Sequence, residues 1–155
     1  MKDSRISRQP PRTRFWENKR LEDMTPEEWE SLCDGCAKCC VRKLEDEDTG
    51  EVHYTDVACR LLDRSTCRCS RYGERFSLVP DCIALTPACV HRFHWMPRTC
   101  AYRLLAEGKP LEPWHPLVSG DPNSVHRRGV SIQGRVVSEL DIDDADLDQR
   151  LIDLD

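Results

Sequence analysis

Cys33-Asp-Gly-Cys-Ala-Lys-Cys-Cys40 places four cysteines in eight residues, spaced C-x2-C-x2-C-C. Thiolates this close on one loop are soft ligands suited to zinc or iron and poor disulfide partners for one another. Adjacent side chains diverge, so Cys39 and Cys40 are expected to serve a cluster of several metal atoms or two neighbouring sites rather than one ion. The first three cysteines match the opening of a bacterial ferredoxin run, but the fourth, proline-followed cysteine of that run is absent. A radical-SAM spacing and the two separated knuckles of a zinc ribbon are absent as well. The C-x2-C units have no βαβ context that would make them a thioredoxin-like redox motif. Ten cysteines in 155 residues could fill two tetrahedral sites with two thiols left over. They could equally ligate one iron–sulfur cluster and leave the rest for a second metal or for redox work.

Working outward, Thr25-Pro26-Glu-Glu28 reads as a helix start: an N-cap, a proline at the first helical position and the Glu of a capping box. The spacing predicts a helix over 26–34, stapled by Met24 against Trp29 and stopped by a left-handed turn at Gly35. That helix delivers Cys33 at its end. On the other side, residues 41–56 read as a β-hairpin, with Val41, Leu44, Val52 and Tyr54 as its apolar positions and residues 45–50 as a polar turn. The acids of the turn lack the ligand spacing of a calcium loop, so a solvated turn is expected.

Residues 57–82 carry Cys59, Cys67, Cys69 and Cys82 among five arginines. Cations there would offset thiolate charge and lower cysteine pKa values, or would be ordinary surface groups. Two short helical pieces are expected over 86–107, one opened by Pro87 and one by Pro97 and closed by Gly108. They carry Cys89, His91, His94 and Cys100. A strand or two is expected over 130–138 around Gly134. The expected organisation is a disordered basic tail (1–14), a cysteine-cluster domain (15–138) and an acidic C-terminal tail (139–155). The fold class is α+β: a small, irregular single domain with short helices and a β-hairpin, organised around a cysteine metal cluster.

Hydrophobic content of 39% against 33% charged residues leaves a small core for this length, and bound metal or disulfides would supply the remaining stability. Residues 1–14 have no apolar run that could act as a secretory signal, and no stretch approaches the ~20 apolar residues of a membrane span. The expected location is the cytoplasm, where thiols stay reduced, which favours metal over a disulfide framework. The net charge is −5. Residues 1–20 hold seven cationic residues against two acids, and residues 139–155 hold eight acids against Arg150. The opposite ends read as solvated. An acidic chain without aromatics patterned beside its arginines argues against nucleic acid as a partner, and no other partner is legible.

His53, His115 and His126 read as surface or packing residues, and the four tryptophans as core. The four-cysteine loop, preceded by Trp29-Glu-Ser-Leu and followed by Val57-Ala-Cys-Arg, Cys67-Arg-Cys69, Pro80-Asp-Cys-Ile and Thr99-Cys-Ala-Tyr-Arg, resembles the YcgN-type cysteine-cluster proteins of bacteria. These sit in a wider group named for its CxxCxxCC motif and described as zinc- or iron-chelating. The resemblance spans roughly residues 15–135. It implies a metal set drawn from Cys33, Cys36, Cys39, Cys40, Cys59, Cys67, Cys69, Cys82 and Cys100, leaving Cys89, His91 and His94 outside. Zinc or iron, including a [4Fe-4S] cluster, is the implied cofactor. Flagellin lysine methylases share the motif distantly, so a redox or methyl-transfer enzyme using the cluster is the alternative. No catalytic residue is legible.

Overall fold

The computed structural model describes residues 14–92 and 95–154. The basic segment before Arg14, His94 and the last residue, Asp155, lie outside it.

Thr25 and Glu28 cap the helix Pro26–Ser31 reciprocally: the Thr25 hydroxyl accepts from Glu28 N–H, and the Glu28 carboxylate accepts from Thr25 N–H. Met24, the residue expected to staple the helix, packs against the apolar cluster that holds Trp29. Replacing Thr25 by Ala removes one half of the box, and its expected cost is about 1 kcal/mol in chemical denaturation. The helix stops three residues short of the expected 34, and Gly35, at φ +84°, turns the chain left-handed. Only glycine adopts this conformation without strain.

β1 (Val41–Glu45) and β2 (Val52–Ala58) form the expected antiparallel hairpin, pairing Lys43 with Tyr54 and Glu45 with Val52. The Asp46 carboxylate accepts from Asp48 and Thr49 N–H at the tip, so the acids close a turn. β2 is the central strand. β5 (Val137–Ser138) lies parallel to its end and β6 (Leu151–Ile152) antiparallel to its middle. β3 (Leu62–Asp63) and β4 (Arg68–Cys69) make a separate small ladder.

Three expectations need correction. The stretch 130–138 contributes only two strand residues, because Gly134 at φ +75° reverses the chain and Ile132 plugs into the core at 0% exposure. The second helical piece begins at Ala101, not Pro97: Pro97 is fully buried, and Cys100 is the N-cap of Ala101–Ala106. Residues 139–154 are not a solvated tail. Leu147 and Leu154 are buried, β6 adds to the sheet, and Arg150 clamps Asp56 with two hydrogen bonds of 2.7 and 3.0 Å. The leucines bury apolar surface that the acidic residues between them leave on the outside. Leu154→Ala is expected to cost about 2–3 kcal/mol, read as a lowered denaturation midpoint with an unchanged m-value. A solvated tail would show no change.

Two apolar clusters result. One gathers Phe15, Trp16, Trp29, Leu32, Tyr102 and Leu111, and the other Val41, Tyr54, Ala58, Leu62, Ile132 and Leu154. Leu32 belongs to the first and Ala37 to the second. The cysteine loop is therefore strung between the two cores and fixed at both ends.

Candidate metal centre

Each end of the loop is held by groups far away in sequence. Tyr102 O–H donates to the Trp29 carbonyl at 2.8 Å, and their rings lie 4.7 Å apart. His115, 2% exposed, sits under Leu32. Its Nδ1 accepts from Leu117 N–H at 3.0 Å, so the proton is on Nε2, which donates to the Leu32 carbonyl at 2.7 Å. Farther along, Ile132 N–H donates to the Cys36 carbonyl at 3.0 Å and Cys59 N–H to the Cys40 carbonyl at 2.7 Å. Within the loop, the Asp34 carboxylate accepts from Cys36 N–H, and Ala37 takes a left-handed φ of +61°.

These restraints gather Cys33, Cys36, Cys39, Cys40 and, from the start of the helix Ala101–Ala106, Cys100. Desolvation is the largest influence on Cys33, Cys36 and Cys100, and a mutual hydrogen bond is the largest on Cys39 and Cys40. The pKa values of Cys33 and Cys100 are pushed up to about 12, mainly by desolvation and to a smaller extent by the charge of Cys39. Cys36 is pushed up by burial and then by the Asp34 charge. The Cys39 and Cys40 sulfurs lie 4.0 Å apart. Hydrogen bonding between the two thiols holds the pKa of Cys39 down to about 7 and pushes that of Cys40 up.

That separation corrects the expectation that adjacent cysteines diverge. Cys40 ends the 3-10 turn Lys38–Cys40 and β1 starts at Val41, so the change of backbone direction brings both sulfurs to one side. Two sulfurs on one tetrahedral ion with bonds of ~2.3 Å are about 3.8 Å apart. The observed separation is close to that spacing, so the pair is compatible with a single ion.

Lys43 had no sequence signal of its own. Its Nζ donates to the carbonyls of Cys39 (2.9 Å) and Val41 (2.8 Å) and lies between the rings of Tyr54 and Trp95, at 5.4 and 5.2 Å. Burial lowers its pKa, opposed by the charges of Cys39, Cys40, Cys36 and Cys59. Lys43 is thus a half-buried cation held against the backbone of the cysteine loop.

The later cysteines divide. Cys59 and Cys82 are half-buried, with pKa values raised mainly by desolvation, and both feel Cys69; Cys82 also feels Cys39. Cys69 is brought beside Leu62 by the β3–β4 ladder. Cys67 goes elsewhere. It takes φ +60°, is 4% exposed in the second apolar cluster, and its thiol is influenced by Ser131, Arg68 and Asp63. Cys89 is also apart: Thr86 N–H and O–H donate to its sulfur and lower its pKa. His91 is exposed, on a 3-10 turn. His53 is partly exposed, and His126 bonds Ser131.

Among the described residues, no three Cys, His, Asp or Glu side chains already stand in an ion-holding arrangement. The donor set nevertheless suits a soft metal. Five thiols lie close enough to raise or lower one another's pKa values, Cys33 and Cys39 at the surface, with the half-buried Lys43 beside them and backbone restraints on the loop. No described helix is long and apolar enough to cross a membrane.

Residues 32–101 match the CxxCxxCC family, described as a "Putative zinc- or iron-chelating domain". The chain is 57% identical over 138 residues to a UPF0260 protein of Marinobacter nauticus, covering 89% of this chain and 93% of that one. It is 61% identical over 140 residues to a UPF0260 protein of Rhizorhabdus wittichii, covering 90% and 94%. A UPF0260 protein of Parvibaculum lavamentivorans is 60% identical over 138 residues, 89% of this chain and 90% of the other. No solved structure matches the chain.

Proposed function

This chain belongs to the UPF0260 family, and on that premise we propose that it holds zinc or iron through Cys33, Cys36, Cys39, Cys40 and Cys100. Cys82 feels the charge of Cys39 and lies near Cys59 and Cys69, so these three are the candidates for a second position or a larger iron–sulfur cluster. The observation that carries the reading is the stringing of the loop between two cores, with Cys100 brought to it from a distant helix. A preorganised loop lowers the entropy cost of closing thiols around an ion. Loading then needs side-chain rotation and loss of the thiol protons, so affinity should weaken as the pH is lowered. The metal would supply cross-linking of the two cores and, as iron, one-electron chemistry. Asp34 orders the Cys36 amide, and Lys43 offsets the negative charge of the bound thiolates.

Cys67 is outside this set, although the motif resemblance includes it. Cys67→Ala is expected to retain the wild-type metal-to-protein ratio and to lower stability by about 1 kcal/mol through lost packing. Elemental analysis of the purified variant checks this. A loss of metal equal to that of a loop-cysteine variant would place Cys67 among the ligands.

A further inference from the structure

The chain between Cys69 and Cys82 runs outside both apolar cores. No residue from Ser70 to Ala84 is buried, and none is a member of either cluster. Hydrogen bonds at the surface hold this segment instead. Ser70 N–H and O–H both donate to the Leu61 carbonyl at 2.7 Å, and the Arg60 guanidinium donates to the Leu78 carbonyl. Between these anchors, Tyr72 O–H donates at 2.6 Å to the carboxylate of Glu30, on the helix that leads into Cys33. The Arg75 guanidinium stacks on Tyr72 and Phe76, 3.7 and 4.2 Å from the ring centroids, and donates to the Tyr72 carbonyl. The segment is therefore stiffened within itself.

It also borders the thiols. The Arg68 guanidinium, just before it, lies 3.7 Å from where a side chain would begin at Gly35 of the cysteine loop. Tyr72 feels the charge of Cys33, and Cys82 that of Cys39. A stretch with no buried apolar side chain, held by exposed hydrogen bonds, opens locally at far lower cost than the cores unfold. We propose that residues 70–82 form a strap beside the cysteine loop, latched by Tyr72 on Glu30, and that the metal ion enters and leaves when this strap opens. Closed, the strap keeps Cys82 next to the loop thiols. Open, it carries Cys82 away and leaves the ion within reach of a competing ligand. The inference rests on the metal reading of the cysteine loop.

The test compares two rates in the full chain loaded with zinc, or with ferrous iron if zinc is not retained. One is release of the metal to excess chelator. The other is amide hydrogen exchange of residues 71–82, followed by mass spectrometry. Tyr72→Phe keeps the ring stacked on Arg75 and removes only the latch. It should speed both rates by the same factor, roughly fivefold, as expected for one lost hydrogen bond to a carboxylate at the surface. Glu30→Ala should match it. Glu30→Gln, whose amide oxygen still accepts from Tyr72, should stay within about twofold of the wild type. Exchange in the hairpin Val41–Ala58 should not change. Unchanged exchange of the strap in Tyr72→Phe overturns the latch. Faster exchange with unchanged metal release overturns the strap as the route. Equal acceleration of the hairpin would mean general destabilisation and overturns both. A chain that takes up neither metal fails at loading, before either rate is read, and sinks the metal reading and this inference with it.

Discussion

Cys36→Ser and Cys39→Ser are each expected to lose bound zinc or iron and to melt at a markedly lower temperature, the two effects together. Cys36 is 8% exposed, its carbonyl is tied to Ile132 and its amide to Asp34, so it has little room to be replaced by a neighbour. Cys39 is the most acidic thiol of the cluster and stands 4.0 Å from the Cys40 sulfur. Structural zinc supplies roughly 10–16 kcal/mol in small zinc-finger peptides, whereas whole domains are stable by only about 5–15 kcal/mol. Here the two apolar cores carry part of the load, so a loss of a few kcal/mol is expected rather than complete unfolding. Elemental analysis and calorimetry on the same samples check it. The decisive control is chelator: it should lower the wild-type melting temperature to near that of the variants and leave the variants almost unmoved. Full metal content with unchanged melting in both variants would contradict the account.

His115→Ala removes no ligand, yet the expected loss of stability is about 3–4 kcal/mol. The ring fills a buried position and satisfies the Leu32 carbonyl and Leu117 N–H together. Its loss leaves both groups unpaired beside the start of the cysteine loop. Burial lowers the His115 pKa below its ordinary 6.5, against smaller opposing effects of Leu32 and Asp34. The folded protein therefore holds the ring neutral where the unfolded chain would already protonate it. Its contribution is fully present above pH ~6.5 and is lost as pH falls below that value toward the lowered folded pKa. Denaturant titrations should show wild-type stability falling through this window more steeply than that of His115→Ala. Equal slopes would mean that the ring is not held neutral.

The local features of the chain were legible because local chemistry decides them. Thr25, Pro26 and Glu28 cap a helix by contacts three residues apart, Gly35 permits a left-handed turn, and the polar residues after β1 close a hairpin. What escaped depends on contacts between remote segments. Two-residue strands such as Leu151–Ile152 leave no periodicity, and their acidic neighbours resemble a solvated tail. His115 resembles any surface histidine until Leu32, 83 positions away, meets it. Lys43 resembles an ordinary hairpin cation, and its cage of Tyr54 and Trp95 forms only in the fold. Cys67 belongs to the motif pattern by sequence, but its left-handed backbone beside the small β3–β4 ladder turns it into the apolar cluster. The close approach of Cys39 and Cys40 depends on a turn-to-strand junction that spacing alone does not encode.

The most direct test is the metal content of protein purified without air, measured with acid-labile sulfide and a thiol count under denaturing, non-reducing conditions. The account predicts zinc or iron in near-stoichiometric amount and ten reactive thiols once the metal is chelated, with sulfide and brown colour accompanying iron. Folded protein carrying neither zinc nor iron, or thiols locked in disulfides, would contradict it.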